Sequence, residues 1–295
     1  PPLIVTGTLL DEHGTPAADV EVTLRPSPSA YAIDLDLLGG ADALPEPADR
    51  ALTRPDGAFS LSAPAIGPYR LEIRPSPPTD KAPVTVPLVY RDILPLRVPL
   101  HLEPIELPDR HPLTVRALDP NGQPIAGAFV VVEAISEQPV DQPYREAHEQ
   151  PERLHPEFDR ASMLTGAEGL ARFLMPASKA RVAVAAAGFA HRVATVTGDR
   201  AAFRLDPAPS VALRVRGPDG QPAGRALVRT PSGPPIPLAL TDEHGETTIG
   251  ITSDGQAIFR VETARGAFAR ALARAHPTRG GAPEPSIVEV QLQPP

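Results

Sequence analysis

Apolar and polar residues alternate over short stretches along the whole chain, and the alternation starts afresh three times. The first copy reads LIVTGTLLDEHGTPAADVEVTLRP (residues 3–26), the second LTVRALDPNGQPIAGAFVVVEA (113–134) and the third VALRVRGPDGQPAGRALVRTP (211–231). A period of two residues is that of a half-buried strand. In each copy the strand runs into a turn, Asp11 to Pro16, Asp119 to Pro124 and Gly217 to Pro222. The glycine there supplies a positive φ, the Asp bonds backbone ahead of it, and the Pro keeps the outgoing chain from becoming helical. A second signature follows: Leu52-Thr53 leading to Asp56-Gly57, Leu164-Thr165 leading to Glu168-Gly169, and Leu240-Thr241 leading to Glu243-His244-Gly245. Each copy then closes with further apolar alternation, at 69–73, 181–185 and 257–261, and a last strand at 96–102, 201–205 and 287–292.

Short strands with turn signals every ten or so residues predict an all-β chain of three tandem immunoglobulin-like antiparallel β-sandwiches. The expected units are residues 1–106 with an insertion at 31–50, 107–207 with an insertion at 137–162, and 208–295. The joints, near 103–111 and 206–210, are short and contain proline, which predicts a stiff, elongated rod. The strands 3–10 and 287–292 then lie at opposite ends, where unpaired edges would join copies head to tail.

Composition narrows the reading. The 40 prolines belong in turns, edge strands and linkers, and a hydrophobic content of 41% with 4% aromatics and no Trp means cores of Val, Leu, Ile and Ala. A net charge of −8 argues against nucleic acid or an anionic membrane as partner, and no apolar run is long enough to span a bilayer. Without cysteine there are no disulfides or thiolate ligands, and the sole Asn, Asn121, is not in a glycosylation sequon.

Two insertions hold the candidate chemistry. His148, Glu152 and His155 would share one face of a helix as a divalent-metal set, but Pro151 interrupts that helix, so the expectation is a solvated polar loop and no metal. Asp34, Asp36 and Asp42 surround Gly39-Gly40 like calcium ligands but lack the EF-hand order. Ile33, Leu35, Leu37 and Leu38 instead predict a strand or short helix packed over the sandwich. The Asp-Glu-His-Gly at 11–14 and at 242–245 falls in different hairpins of the repeat and is expected to be turn chemistry rather than a shared site.

The paired motifs, best preserved from Asp119 to Val132, resemble the carboxypeptidase regulatory-like domains, a transthyretin-like sandwich family that includes pilin-type collagen-adhesin B domains. The resemblance covers essentially the whole chain in three copies, with the third departing most in its second motif. It implies a sandwich of about seven strands in a processed, exported protein of the bacterial envelope. It implies no reaction, and no catalytic or cofactor-binding residue is assigned. None of the eight His has Glu three positions on, as a carboxypeptidase zinc site needs, and there is no His-x-His, no Tyr-Arg-Gly-Ser end, no Gly-x-Ser-x-Gly elbow and no phosphate loop. The expected function is non-enzymatic: a structural or assembly protein of the bacterial cell surface or an extracellular filament, without cofactor. Its expected partners are further copies or other surface proteins, met through strand edges. The alternative is an adhesive or carbohydrate-binding module, which would need exposed aromatics from a small stock of four Tyr and eight Phe.

Overall fold

The computed structural model describes residues 3–38, 44–64, 67–74, 85–86, 89–93, 99–135, 160–208, 210–229, 237–250, 256–274 and 286–294. The first sandwich is built from β1 (Leu3–Leu10), β2 (Glu21–Pro26), a helix α1 (Ala30–Leu37), β3 (Asp49–Leu52), β4 (Ala58–Ala63), β5 (Tyr69–Arg74), β6 (Val89–Ile93), β7 (Leu100–His101) and β8 (Ile105–Glu106). The second comprises β9 (His111–Leu118), β10 (Phe129–Ala134), β11 (Ala161–Leu164), β12 (Leu170–Met175), β13 (Lys179–Ala185), β14 (Arg192–Thr197) and β15 (Arg200–Arg204). The third comprises β16 (Ser210–Arg216), β17 (Leu227–Arg229), β18 (Pro237–Leu240), β19 (Glu246–Gly250), β20 (Gln256–Glu262), β21 (Phe268–Arg274) and β22 (Ser286–Gln291).

The same pair of sheets recurs in each. One sheet has the order β4-β1-β7 (with β8 also on β1), β12-β9-β15 or β19-β16-β22; the other has the order β3-β2-β5-β6, β11-β10-β13-β14 or β18-β17-β20-β21. Apolar residues from the inner faces form three separate cores, centred on Phe59, Leu61 and Leu71, on Phe173 and Val182, and on Phe259 and Val261. The first strand of each sandwich sits in the middle of its sheet, because the last strand returns to pair with it in parallel: Val5 beside Leu100, Val115 beside Ala201, Leu213 beside Val288. This corrects the expectation that residues 3–10 offer a free edge, since β1 is paired on both sides, whereas among the described residues β22 pairs only with β16.

The two sequence signatures lock each sandwich in the same way. Gly57, Gly169 and Gly245 have φ of 74°, 70° and 74°, and a Cβ on them would lie 2.4, 2.5 and 2.4 Å from the carbonyls of Leu9, Ala117 and Val215. No side chain fits there. Thr53, Thr165 and Thr241 are buried, and each hydroxyl bridges two backbone positions of the loop that leads into the neighbouring strand. The hydroxyls donate to the carbonyls of Ala17, Ile125 and Ala223, and accept from the N–H of Val20, Ala128 and Ala226. Buried backbone groups must be paired, so these threonines hold the loop between the sheets shut. Asp11 and Asp242 each accept backbone N–H groups of their own turn, which accounts for the repeated Asp-Glu-His-Gly as local turn chemistry.

Candidate functional site

Among the described residues, the most buried charges gather around α1. Ser29 caps the helix by accepting the N–H of Ala32 (3.2 Å). Tyr31 and Leu35, one turn apart, fall on one face. That face lies on the third sandwich, packed with Leu227, Leu38 and Leu240, and the Tyr31 hydroxyl donates to the Arg225 carbonyl. A strand or short helix packed over the sandwich was expected in the first insertion; the structure has a helix, and the face it buries is seated on the third sandwich. At the other end, Ser162 of the second sandwich donates to the Leu37 carbonyl at 2.8 Å.

Between these contacts sits Asp34, 0% exposed. One carboxylate oxygen pairs with Arg160 of the second sandwich, and the other with Arg229 of the third at 2.8 Å. Arg160 continues to Glu133 at 2.8 Å, and Arg181 approaches Glu133 from the neighbouring strand at 3.7 Å. Arg229 continues to Glu262 at 3.4 Å. A further buried pair, Arg25 with Glu72 at 3.0 Å, lies on the first sandwich. Burial raises the carboxyls of Asp34 and Glu133 above their ordinary values, and the adjacent arginines only partly offset this. Transferring such charges from water costs several kcal/mol each and is sustained by mutual pairing. One carboxylate thus ties together arginines from two other sandwiches. The elongated rod expected from the stiff joints is therefore replaced by three sandwiches converging on one helix.

Two more contacts join neighbours. Thr85, between β5 and β6, donates its N–H to the Arg172 carbonyl (3.1 Å) and accepts from the N–H of Leu174 (3.0 Å), so the first sandwich extends the edge of β12. Phe189 and His191, around the connection from β13 to β14, meet Leu238 and Thr248 to Gly250 of the third sandwich about a cavity of about 210 Å³. Burial holds His191 below its ordinary value and so neutral.

A second cavity, about 720 Å³, opens between α1 and the third sandwich and is lined by Tyr31, Leu35, Asp219, Arg225 and Arg265 among others. His148, Glu152, His155 and Asp42 lie outside the described residues. Asp34 serves as an arginine partner rather than a calcium ligand, and among the described residues no three His, Asp or Glu are placed to hold a metal. No helix among them is long and apolar enough to cross a membrane. The sequence reading did not single out Glu133, Arg160 or Arg229. A signal was present in the unbroken run Phe129-Val130-Val131-Val132-Glu133-Ala134, since a strand without alternation is covered on both faces.

No family model matches the chain, and no curated protein matches it. Solved structures that resemble it include the TIE protein of Bacillus anthracis, 11% identical, covering 99% of this chain and 51% of that one at a TM-score of 0.27. The chain thus spans about half of that protein's structure. The minor pilin of Streptococcus agalactiae is 12% identical, with 70% of this chain and 97% of that one covered at a TM-score of 0.30. Catechol 1,2-dioxygenase of Pseudomonas arvilla C-1 is 16% identical over 34% of this chain and 53% of that one at a TM-score of 0.25. Likeness at these TM-scores carries no functional argument.

Proposed function

We propose that the chain is a non-enzymatic structural or assembly protein of the bacterial cell surface or an extracellular filament, with folding units at 1–106, 107–207 and 208–295. The observation that carries this is the use made of the buried charges. Strongly perturbed ionisable groups ordinarily mark a catalytic cleft. Here Asp34 is closed in by Arg160 and Arg229, each from a different sandwich, so its ionisation serves a joint between sandwiches. A protein that invests its buried charges in fixing the mutual position of three sandwiches is suited to bearing load or presenting fixed edges. A carbohydrate-binding module would stack sugars on exposed rings. Among the described residues Tyr31 and Tyr69 are buried, and the large exposed apolar side chains include a single aromatic, Phe268. Immunogold labelling of intact source cells tests the proposal. Label on the cell surface or on shed fibres is expected, and label confined to the cytoplasm of sectioned cells would refute it.

A further inference from the structure

Each sandwich has a residue of positive φ two positions before its second strand. Asp19, Gly127 and Arg225 have φ of 58°, 70° and 57°, and each donates its N–H to the carbonyl of the buried threonine of its own sandwich: Thr53 at 3.0 Å, Thr165 at 2.8 Å and Thr241 at 3.0 Å. Glycine adopts this conformation freely and Asp tolerates it, whereas an Arg is strained there. The backbone bond needs no side chain, so the sandwich fold does not account for an Arg at 225.

A second position of the same corner changes in the same sense. The loops after β13 and β20 turn on Gly188 and Gly266, with φ of 79° and 80°. The residue before that glycine is Ala187 in the second sandwich and Arg265 in the third, and the residue after it is Phe189 in the second and Ala267 in the third. In the second sandwich, Gly127, Ala187 and Phe189 line the cavity of about 210 Å³ that the third sandwich closes. In the third, the equivalent Arg225, Arg265 and Ala267 line the cavity of about 720 Å³ that opens towards Tyr31 and Leu35 of α1. Two small residues have become cations, a ring has become a methyl group, and the space is left wide. Its helical wall is fixed, because the Tyr31 hydroxyl donates to the Arg225 carbonyl and Leu35 packs on Leu227.

Arg225 and Arg265 are both exposed, and the one acidic residue on the lining, Asp219, accepts the N–H of Gln221 in its own turn at 3.1 Å. Two cations and one carboxylate leave a single excess positive charge, and Pro222 and Ala264 add apolar wall. A preformed space of this size with apolar walls and a few convergent polar groups is the form of a small-molecule site. A guanidinium fork matches the two oxygens of a carboxylate, and one excess charge suits a monocarboxylate better than a phosphate monoester of nearly twice the charge. We infer that this cavity binds an organic monocarboxylate with an apolar body, its carboxylate held by Arg225 and Arg265 and its body set against Tyr31 and Leu35. The site goes beyond the assembly reading and does not depend on it. A ligand that touches both α1 and the third sandwich also strengthens the seat of the helix.

The test is isothermal titration calorimetry of the full-length chain with octanoate as the probe, octanamide as its uncharged counterpart and octyl phosphate as the more highly charged one. Octanoate is expected to bind once per chain, and octanamide about tenfold more weakly for want of charge-assisted hydrogen bonds. Arg225→Gly gives the third sandwich the residue of the second, keeps the carbonyl that Tyr31 meets and relieves the backbone. It is expected to bind octanoate about tenfold more weakly, with a melting temperature no lower than the parent's. An Arg that served the fold alone would give the reverse, unchanged binding with a lower melting temperature, and that result would overturn the inference. Arg265→Gln, at an exposed turn position, should weaken binding likewise, and it decides by the same criterion should Arg225→Gly not fold. The inference also fails if octanoate shows no saturable binding, if octanamide binds as tightly, or if octyl phosphate binds more tightly. None of these results bears on the surface labelling, which judges the assembly role by itself.

Discussion

The outer faces of the three four-stranded sheets share a register and little else. Leu52, Leu164 and Leu240 occupy one repeat position, paired with Glu21, Phe129 and Leu227. Leu52 and Leu164 are 62% and 61% exposed, while Leu240 is covered by α1. One register position on, Thr23 and Val131 correspond to Arg229, the buried partner of Asp34. On the inner side, by contrast, the glycine and threonine of the second signature repeat without change. The residues that make a sandwich are common to the copies, and the residues that join sandwiches are particular to one. Repetition accounts for the fold, and divergence on the outer faces accounts for the arrangement.

That division can be broken from either side. Replacing Gly57, Gly169 or Gly245 by Ala combines a left-handed backbone with a clash against a carbonyl, and is expected to cost about 3–5 kcal/mol in the affected sandwich. The cost should be similar at all three sites, measured as the fall in the melting transition of each sandwich; tolerance at one site alone would contradict the shared lock. Arg229→Met leaves the buried Asp34 and the partly buried Glu262 with one cation fewer and is expected to cost about 3–5 kcal/mol, whereas Val131→Met at the equivalent position disturbs packing only, by about 1–3 kcal/mol. Combining Arg229→Met with Asp34→Leu should recover part of the loss, because apolar groups of similar size can replace a buried pair.

His191 supplies a pH-dependent version of the comparison. Its neutral form is favoured in the fold, so the unfolded chain binds the proton first as pH falls through the ordinary value of 6.5. Stability is therefore full well above that value and declines as pH falls through it towards the lower value of the folded state. Asp34 and Glu133 have raised values, so protonating them favours the folded state, with the opposite sign, as pH falls towards 3.8 and 4.5. Melting curves of His191→Phe should lose the fall in stability as pH drops through 6.5; an unchanged fall would place the titration elsewhere. The smallest effects belong to the exposed leucines. Leu52→Ala and Leu164→Ala should each lie within about 0.5 kcal/mol of the parent, and Leu240→Ala should cost about 1–2 kcal/mol because it uncovers the seat of α1.

Much of the sandwich architecture was legible because turns have strict chemistry. Gly57, Gly169 and Gly245 stand where no other residue fits, and Thr53, Thr165 and Thr241 precede them at fixed spacing. The apolar stripe in the first insertion was legible as a buried segment, but hydrophobicity is non-directional and does not say which surface covers it. Hence α1 was expected over its own sandwich and is found seated on the third. The position of β1 inside its sheet was hidden for a related reason: alternation shows that a strand has two faces and is silent on how many edges are paired. The ion cluster was the least legible part, since Asp34, Glu133, Arg160 and Arg229 are far apart in sequence and no local spacing relates them.

Whether three sandwiches converge on α1 is decided most directly by small-angle X-ray scattering of the chain, extrapolated to the dilution at which it is monomeric. Convergence predicts a radius of gyration near the compact-chain value of about 19 Å for this length, with a modest excess for the clefts between sandwiches. Three bodies of about 13 Å strung end to end at a spacing of about 35 Å would instead give roughly 30 Å. A value near the lower figure that rises on Asp34→Ala is the result expected; a value near the upper figure, indifferent to Asp34, would contradict the account.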